Sequence, residues 1–114
     1  MIEIKVTFEN HFGEDLIEVM LFRNLEFHII HDIKDKEEKI DIATFYAIEG
    51  EKDENWYVQF LTASGEYWRS ASFIDCSTTK EDDYKIILGV NGESKRVYAA
   101  FSSSSSCSAA LKKL

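Results

Sequence analysis

The chain alternates from its first residues. Ile2, Ile4, Val6 and Phe8 fall on one side of an extended backbone, and Glu3, Lys5, Thr7 and Glu9 on the other, because successive strand side chains point to opposite faces. This pattern predicts a half-buried strand. Asn10-His11-Phe12-Gly13 reads as a turn, since Asn and Gly tolerate left-handed backbone. Leu16 to Phe22 and Leu25 to Ile30 follow, either as two strands or as one strand bent near Arg23-Asn24. Asp32 to Lys39 is a charged connector and reads as a solvated loop. In the next strand Ile40, Ile42, Tyr46 and Ile48 share one face, and Ala43, Phe45 and Ala47 the other. Two largely apolar faces suit a central strand.

Gly50, with Glu49, Glu51, Asp53 and Glu54 around it, predicts an acidic loop. Asn55 to Ala63 and Glu66 to Ile74 form the clearest hairpin, turning at Ser64-Gly65. Asp75 to Asp82 reads as polar loop, and Asp83 to Leu88 and Arg96 to Phe101 as strands joined through Asn91-Gly92. Five consecutive serines, Ser102 to Ser106, are either a linker or the polar end of an edge strand, and a short apolar tail follows. No segment longer than two turns has helical periodicity. About eight short strands without proline predict an all-β fold, an antiparallel β-sandwich forming a single domain over 1–114.

Composition narrows the function. A length of 114 residues with 45% hydrophobic and 13% aromatic content supports a core that needs no staple. The net charge of −8 argues against nucleic-acid binding through phosphates and against simple attachment to anionic membranes. It is compatible with docking on a basic partner. Met1 runs directly into the alternating strand, so no signal peptide is read and the expected location is cytoplasmic as synthesised, with release by another route left open. No apolar run approaches the roughly 18 residues of a membrane span. Cys76 and Cys107 are expected to be two ordinary small side chains, kept reduced inside a cell.

Catalytic and metal chemistry find little support. A strand spacing of three puts His28 and His31 on opposite faces, where they cannot share a metal. There is no Gly-x-Ser-x-Gly elbow and no phosphate-binding glycine loop. The acidic loops at 32–38, 49–54 and 81–83 raise calcium as an alternative, but none has the Asp-x-Asp spacing of a tuned site. In a simple meander the loops at 49–54 and 76–83 share one end. The expectation is a protein without catalytic residues, metal or cofactor.

The aromatic hairpin is the remaining signal. Trp56-Tyr57 and Tyr67-Trp68 flank the Ser64-Gly65 turn, so one ring of each pair points inward and the other outward. Tyr and Trp suit an interface between water and a lipid or protein partner. Trp56, Tyr57, Tyr67, Trp68 and Arg69 are therefore the candidate ligand-binding residues, with Arg69 and Lys95-Arg96 available for phosphate groups. The bland reading is cross-strand aromatic pairing that only stabilises the sheet.

The opening run Ile2-Glu3-Ile4-Lys5-Val6-Thr7-Phe8-Glu9-Asn10 with Gly13, and the closing stretch from Tyr84-Lys85-Ile86-Ile87 through Gly92 to Val97-Tyr98-Ala99-Ala100-Phe101 and the serines, resemble the aegerolysin family. These segments cover about a third of the chain, and the middle has no match around the acidic connector. The resemblance implies a β-sandwich that recognises particular membrane lipids, often beside a larger pore-forming partner. An acidic inhibitor or immunity-type protein docking on a basic partner is the alternative, and salt dependence separates the two.

Overall fold

The computed structural model describes residues 1–49, 51 and 54–114. Gly50 and Asp53, read above as part of the acidic loop, lie outside the described residues. The chain is all-β: β1 (Ile2–His11), β2 (Leu16–Arg23), β3 (Glu26–Ile33), β4 (Glu38–Ala47), β5 (Asn55–Thr62), β6 (Tyr67–Ser70), β7 (Ile74–Asp75), β8 (Lys85–Asn91), β9 (Arg96–Ala100) and β10 (Cys107–Lys113). Among the described residues a single 3-10 turn covers Lys80–Asp82.

The strands form one curled sheet in the order β3-β2-β5-β6-β10-β9-β8-β1-β4, with β7 beside β5. The two layers of a sandwich are thus halves of one nearly closed barrel. Its pairs are antiparallel except β1 with β8, which run parallel, so the topology is no simple meander. The inward side of every long strand follows the alternation. Ile4, Val6 and Phe8 of β1, Ala43, Phe45 and Ala47 of β4, and Trp56, Val58 and Phe60 of β5 are all buried. These meet Leu21, Ile86, Leu88 and Val97 in one core.

The sheet closes without a backbone ladder between its two edges, β3 and β4. Glu26 Oε1 on β3 accepts from the Tyr46 amide on β4 at 3.0 Å, and the His28 ring stands edge-on to Phe45 with centroids 4.6 Å apart. The central position expected for β4 is therefore corrected: β4 is an edge strand. Its second apolar face, Ile40, Ile42, Tyr46 and Ile48, is exposed rather than sandwiched.

Several loops differ from expectation. Asn10 is a buried hub rather than a turn residue: Nδ2 donates to the carbonyls of Glu14 (3.0 Å), Ile33 (3.3 Å) and Lys34 (3.0 Å), and Oδ1 accepts from the Phe12 amide (3.0 Å). The doubtful segment at 16–30 is a hairpin whose turn carries Asn24 at φ 53°. The charged connector shrinks, because β3 reaches Ile33 and β4 starts at Glu38. The apolar tail is a tenth strand, β10, seated between β9 and β6.

Cys76 and Cys107 form a disulfide with a Cα–Cα distance of 6.3 Å, tying the segment after β7 to the start of β10. The reading of two ordinary cysteines is corrected. The serines are also positioned. Buried Asp82 accepts from the amides of Ser103 (2.6 Å) and Ser104 (3.2 Å) and from the hydroxyls of Thr79 (3.1 Å), Ser102 (3.2 Å) and Ser104 (2.5 Å). Those bonds hold its carboxyl down at about 2, the Ser104 hydroxyl contributing most.

Candidate functional site: an outward aromatic face

Pairing of β3, β2, β5 and β6 assembles an apolar outer face. The register sets Phe22 of β2 opposite both Phe27 of β3 and Tyr57 of β5. The ring centroids are 5.6 Å apart for Phe22–Phe27 and 5.5 Å for Phe22–Tyr57. Phe73, in the link between β6 and β7, comes within 5.7 Å of Tyr57. Phe27 is 52% and Phe73 61% exposed, with Ile29 exposed one step further along β3. Further along the face, Tyr67 stands beside Leu61 and is 48% exposed, and Arg69 stands beside Gln59. Contiguous apolar exposure of this kind is the usual mark of an interaction site.

The candidate residues thus separate into two sets. Tyr57, Tyr67 and Arg69 share the outer face. Trp56 and Trp68 lie on the opposite side of the sheet, Trp56 buried and Trp68 half-buried. Trp56 is fully buried, its ring edge-on to Phe45 at 5.3 Å and 5.9 Å from the Arg23 guanidinium carbon. Trp68 faces inward opposite Phe60, edge-on to Phe12 at 5.4 Å, and its Nε1–H donates to Glu66 Oε1 at 3.3 Å. The alternation that made the pairs conspicuous puts both indoles inside.

Lys95 and Arg96 do not join this face. Lys95 Nζ donates to the Gly92 carbonyl and lies 5.6 Å and 5.7 Å from the Phe12 and Trp68 centroids. Arg96 donates to Ser108 Oγ at 2.8 Å. Both sit near the end of the barrel where β5 finishes, whereas Tyr57 stands near where it begins. Phe22, Phe27 and Phe73, absent from the expected set, complete the face. Their meeting depends on strand pairing, which sets Phe22 opposite both Phe27 and Tyr57.

A cavity of about 250 Å³ opens at the end of the barrel where β1 and β5 begin, lined in part by Arg23, Glu51, Glu54, Thr78 and Tyr84. Here Glu54 meets the segment after β7: it accepts from the Thr78 amide (2.8 Å) and hydroxyl (2.6 Å). Arg23, buried beneath them, pairs with Glu54 at 3.1 Å and Glu51 at 3.4 Å. Both oxygens of the buried acid are thus engaged, one by Arg23 and the Thr78 hydroxyl and the other by the Thr78 amide.

His28 and His31 occupy opposite faces of β3, His28 against Phe45 and His31 near Glu18. Among the described residues no three His, Cys, Asp or Glu side chains gather as a metal site, and no helix is long and apolar enough to cross a membrane. No protein-family model matches the chain, and no curated protein matches it.

Proposed function

We propose that this protein is a non-enzymatic binding module, aegerolysin-like in role, that attaches to a membrane lipid surface through its outer aromatic face. It acts alone or as the small component of a pore-forming pair. The observation that supports this reading is the outward cluster of Phe22, Phe27, Tyr57 and Phe73, extended by Tyr67. Aromatic rings carried on rigid strands bury apolar area at a lipid interface while the tyrosine hydroxyls stay in water.

Vesicle flotation tests it. The unaltered chain is expected to float with vesicles, and Tyr57→Ser/Phe73→Ser is expected to lower the bound fraction at least tenfold. Tryptophan emission is a poor readout of this face, because Trp56 is fully buried and Trp68, half-buried, lies on the opposite side of the sheet. Binding by aromatic insertion survives high salt. A complex that dissolves between low and high ionic strength supports docking of an acidic protein on a basic partner instead.

A further inference from the structure

β7 is the shortest strand of the barrel. It pairs with β5 over only Asn55–Asp75 and Trp56–Ile74, and it stands off the path that joins the other strands. Just before it comes Phe73, whose ring closes the outer aromatic face against Tyr57 at 5.7 Å. Just after it comes Cys76. From there residues 76–84 run as a strap at the end of the barrel, where Thr78, Thr79, Lys80 and Tyr84 line the cavity described above.

Three fastenings hold this segment. Cys76 is bonded to Cys107, Thr78 donates twice to Glu54, and Asp82 accepts from Ser102, Ser103 and Ser104. The bridge is the fastening next to β7; the other two lie further along the strap. It is also the one a solute can undo. Cys76 is only 8% exposed, but Cys107 is half-buried and follows five exposed serines, so a dissolved thiolate meets the Cys107 sulfur first.

We propose that the Cys76–Cys107 bridge is a redox-sensitive fastening for β7. Reduction frees β7 and the strap behind it, draws Phe73 away from Tyr57, and so breaks up the attachment face while the rest of the barrel stays folded. The control of attachment rests on the membrane-binding reading above; the release of the strap does not. In the reductive step two thiols of a small reductant supply two electrons and two protons. The S–S bond breaks through a mixed disulfide, both cysteines become thiols, and the reductant ends as a disulfide. The face is thus whole in oxidising surroundings and incomplete in reducing ones.

The barrel does not depend on β7. Its ladder runs unbroken from β3 to β4 without that strand. The start of β10, at the other end of the bridge, loosens too, but its pairs with β9 and β6 keep it in the sheet. β7 has two residue pairs and one buried apolar side chain, Ile74, less than a strand usually needs to hold its place.

The test takes the full chain at room temperature, oxidised, reduced with dithiothreitol, and reoxidised. Far-ultraviolet circular dichroism reads the barrel. Hydrogen exchange of the Thr78 amide and trypsin cleavage after Lys80 read the strap. Flotation with vesicles of phosphatidylcholine, phosphatidylethanolamine, sphingomyelin and cholesterol in equal parts reads attachment. On reduction the dichroism should stay as it was, and exchange and cleavage should quicken on the order of tenfold, as local opening does. The bound fraction should fall about tenfold, the worth of one well-placed ring, and reoxidation should restore all three. Cys76→Ala/Cys107→Ala should behave as the reduced chain with or without dithiothreitol.

A strap that stays protected after reduction, or a barrel that unfolds with it, overturns the proposal whatever the vesicles show. A strap that opens while flotation is unchanged overturns the control of attachment. A strap that opens in a chain that floats in neither state overturns the membrane reading and leaves the redox-sensitive fastening supported.

Discussion

Removing the Cys76–Cys107 bridge should lower the melting temperature by about 15 °C. The perturbation is Cys76→Ala/Cys107→Ala, which leaves no free thiol to mispair. The two cysteines are 31 residues apart, and in the chain-entropy treatment closing a loop of that length removes about 3.7 kcal/mol of freedom from the unfolded chain. Unfolding entropy of about 2.1 cal/mol/K per residue gives the whole chain about 240 cal/mol/K, so each kcal/mol moves the midpoint by about 4 °C. The loss should fall first on β10, which begins at Cys107 and meets β6 over only Leu111, Lys112 and Lys113. Circular dichroism melts of the original chain, the reduced chain and the double variant measure the effect, and limited proteolysis locates it. A drop of less than about 4 °C would refute the reasoning, since it would mean that the unfolded chain gains little freedom when the bridge is absent.

Other parts of the structure carry equally direct consequences. The Asp82 carboxyl is held at about 2, below its ordinary 3.8, so its stabilising effect is complete above about pH 4 and is lost as pH falls through 2. Asp82→Asn should flatten that limb of the stability profile, and melts from pH 2 to 5 that keep the original slope would contradict it. Arg23→Met leaves Glu54 buried without its cation and should cost about 3–5 kcal/mol in urea unfolding; a loss below about 1 kcal/mol would show that the pair is dispensable. At Gly92 an added Cβ would lie 1.7 Å from the Phe12 carbonyl oxygen, a backbone atom that cannot swing away. Gly92→Ala should therefore destabilise by at least about 1–3 kcal/mol, with normal stability the contrary result.

Alternation made much of the fold legible. It grouped Ile4, Val6 and Phe8 on one face of β1, and separated Trp56, Val58 and Phe60 from Tyr57, and Trp68 from Tyr67 and Arg69, because strand period is a local property; which face of the hairpin is buried is set by the packing, which puts Trp56, Val58 and Phe60 inside. What failed was long-range. Nothing near Phe22 announces that β2 will pair with β5 and bring that ring against Tyr57. The serine run looks unstructured because the carboxylate that orders it, Asp82, is some twenty residues upstream. β10 carries little local signal, because only Ala109 and Leu111 of its seven residues are buried, too few to stand out as a pattern. The edge position of β4 is hidden for a related reason: exposed Ile40, Ile42 and Ile48 look locally like the second buried face of a central strand.

The seam between β3 and β4 bears on how this chain behaves in a crowded solution. Each of these strands is eight or more residues long and paired on one side only, which makes each a template on which a strand from another molecule can grow. In the curled sheet the two templates lie against one another, latched by Glu26 and His28. The same latch that completes the barrel thereby keeps two sticky edges out of circulation. A chain that has lost Glu26 can stay folded and yet begin to assemble, so the cost of that one carboxylate would be read in light scattering before it is read in a melting curve.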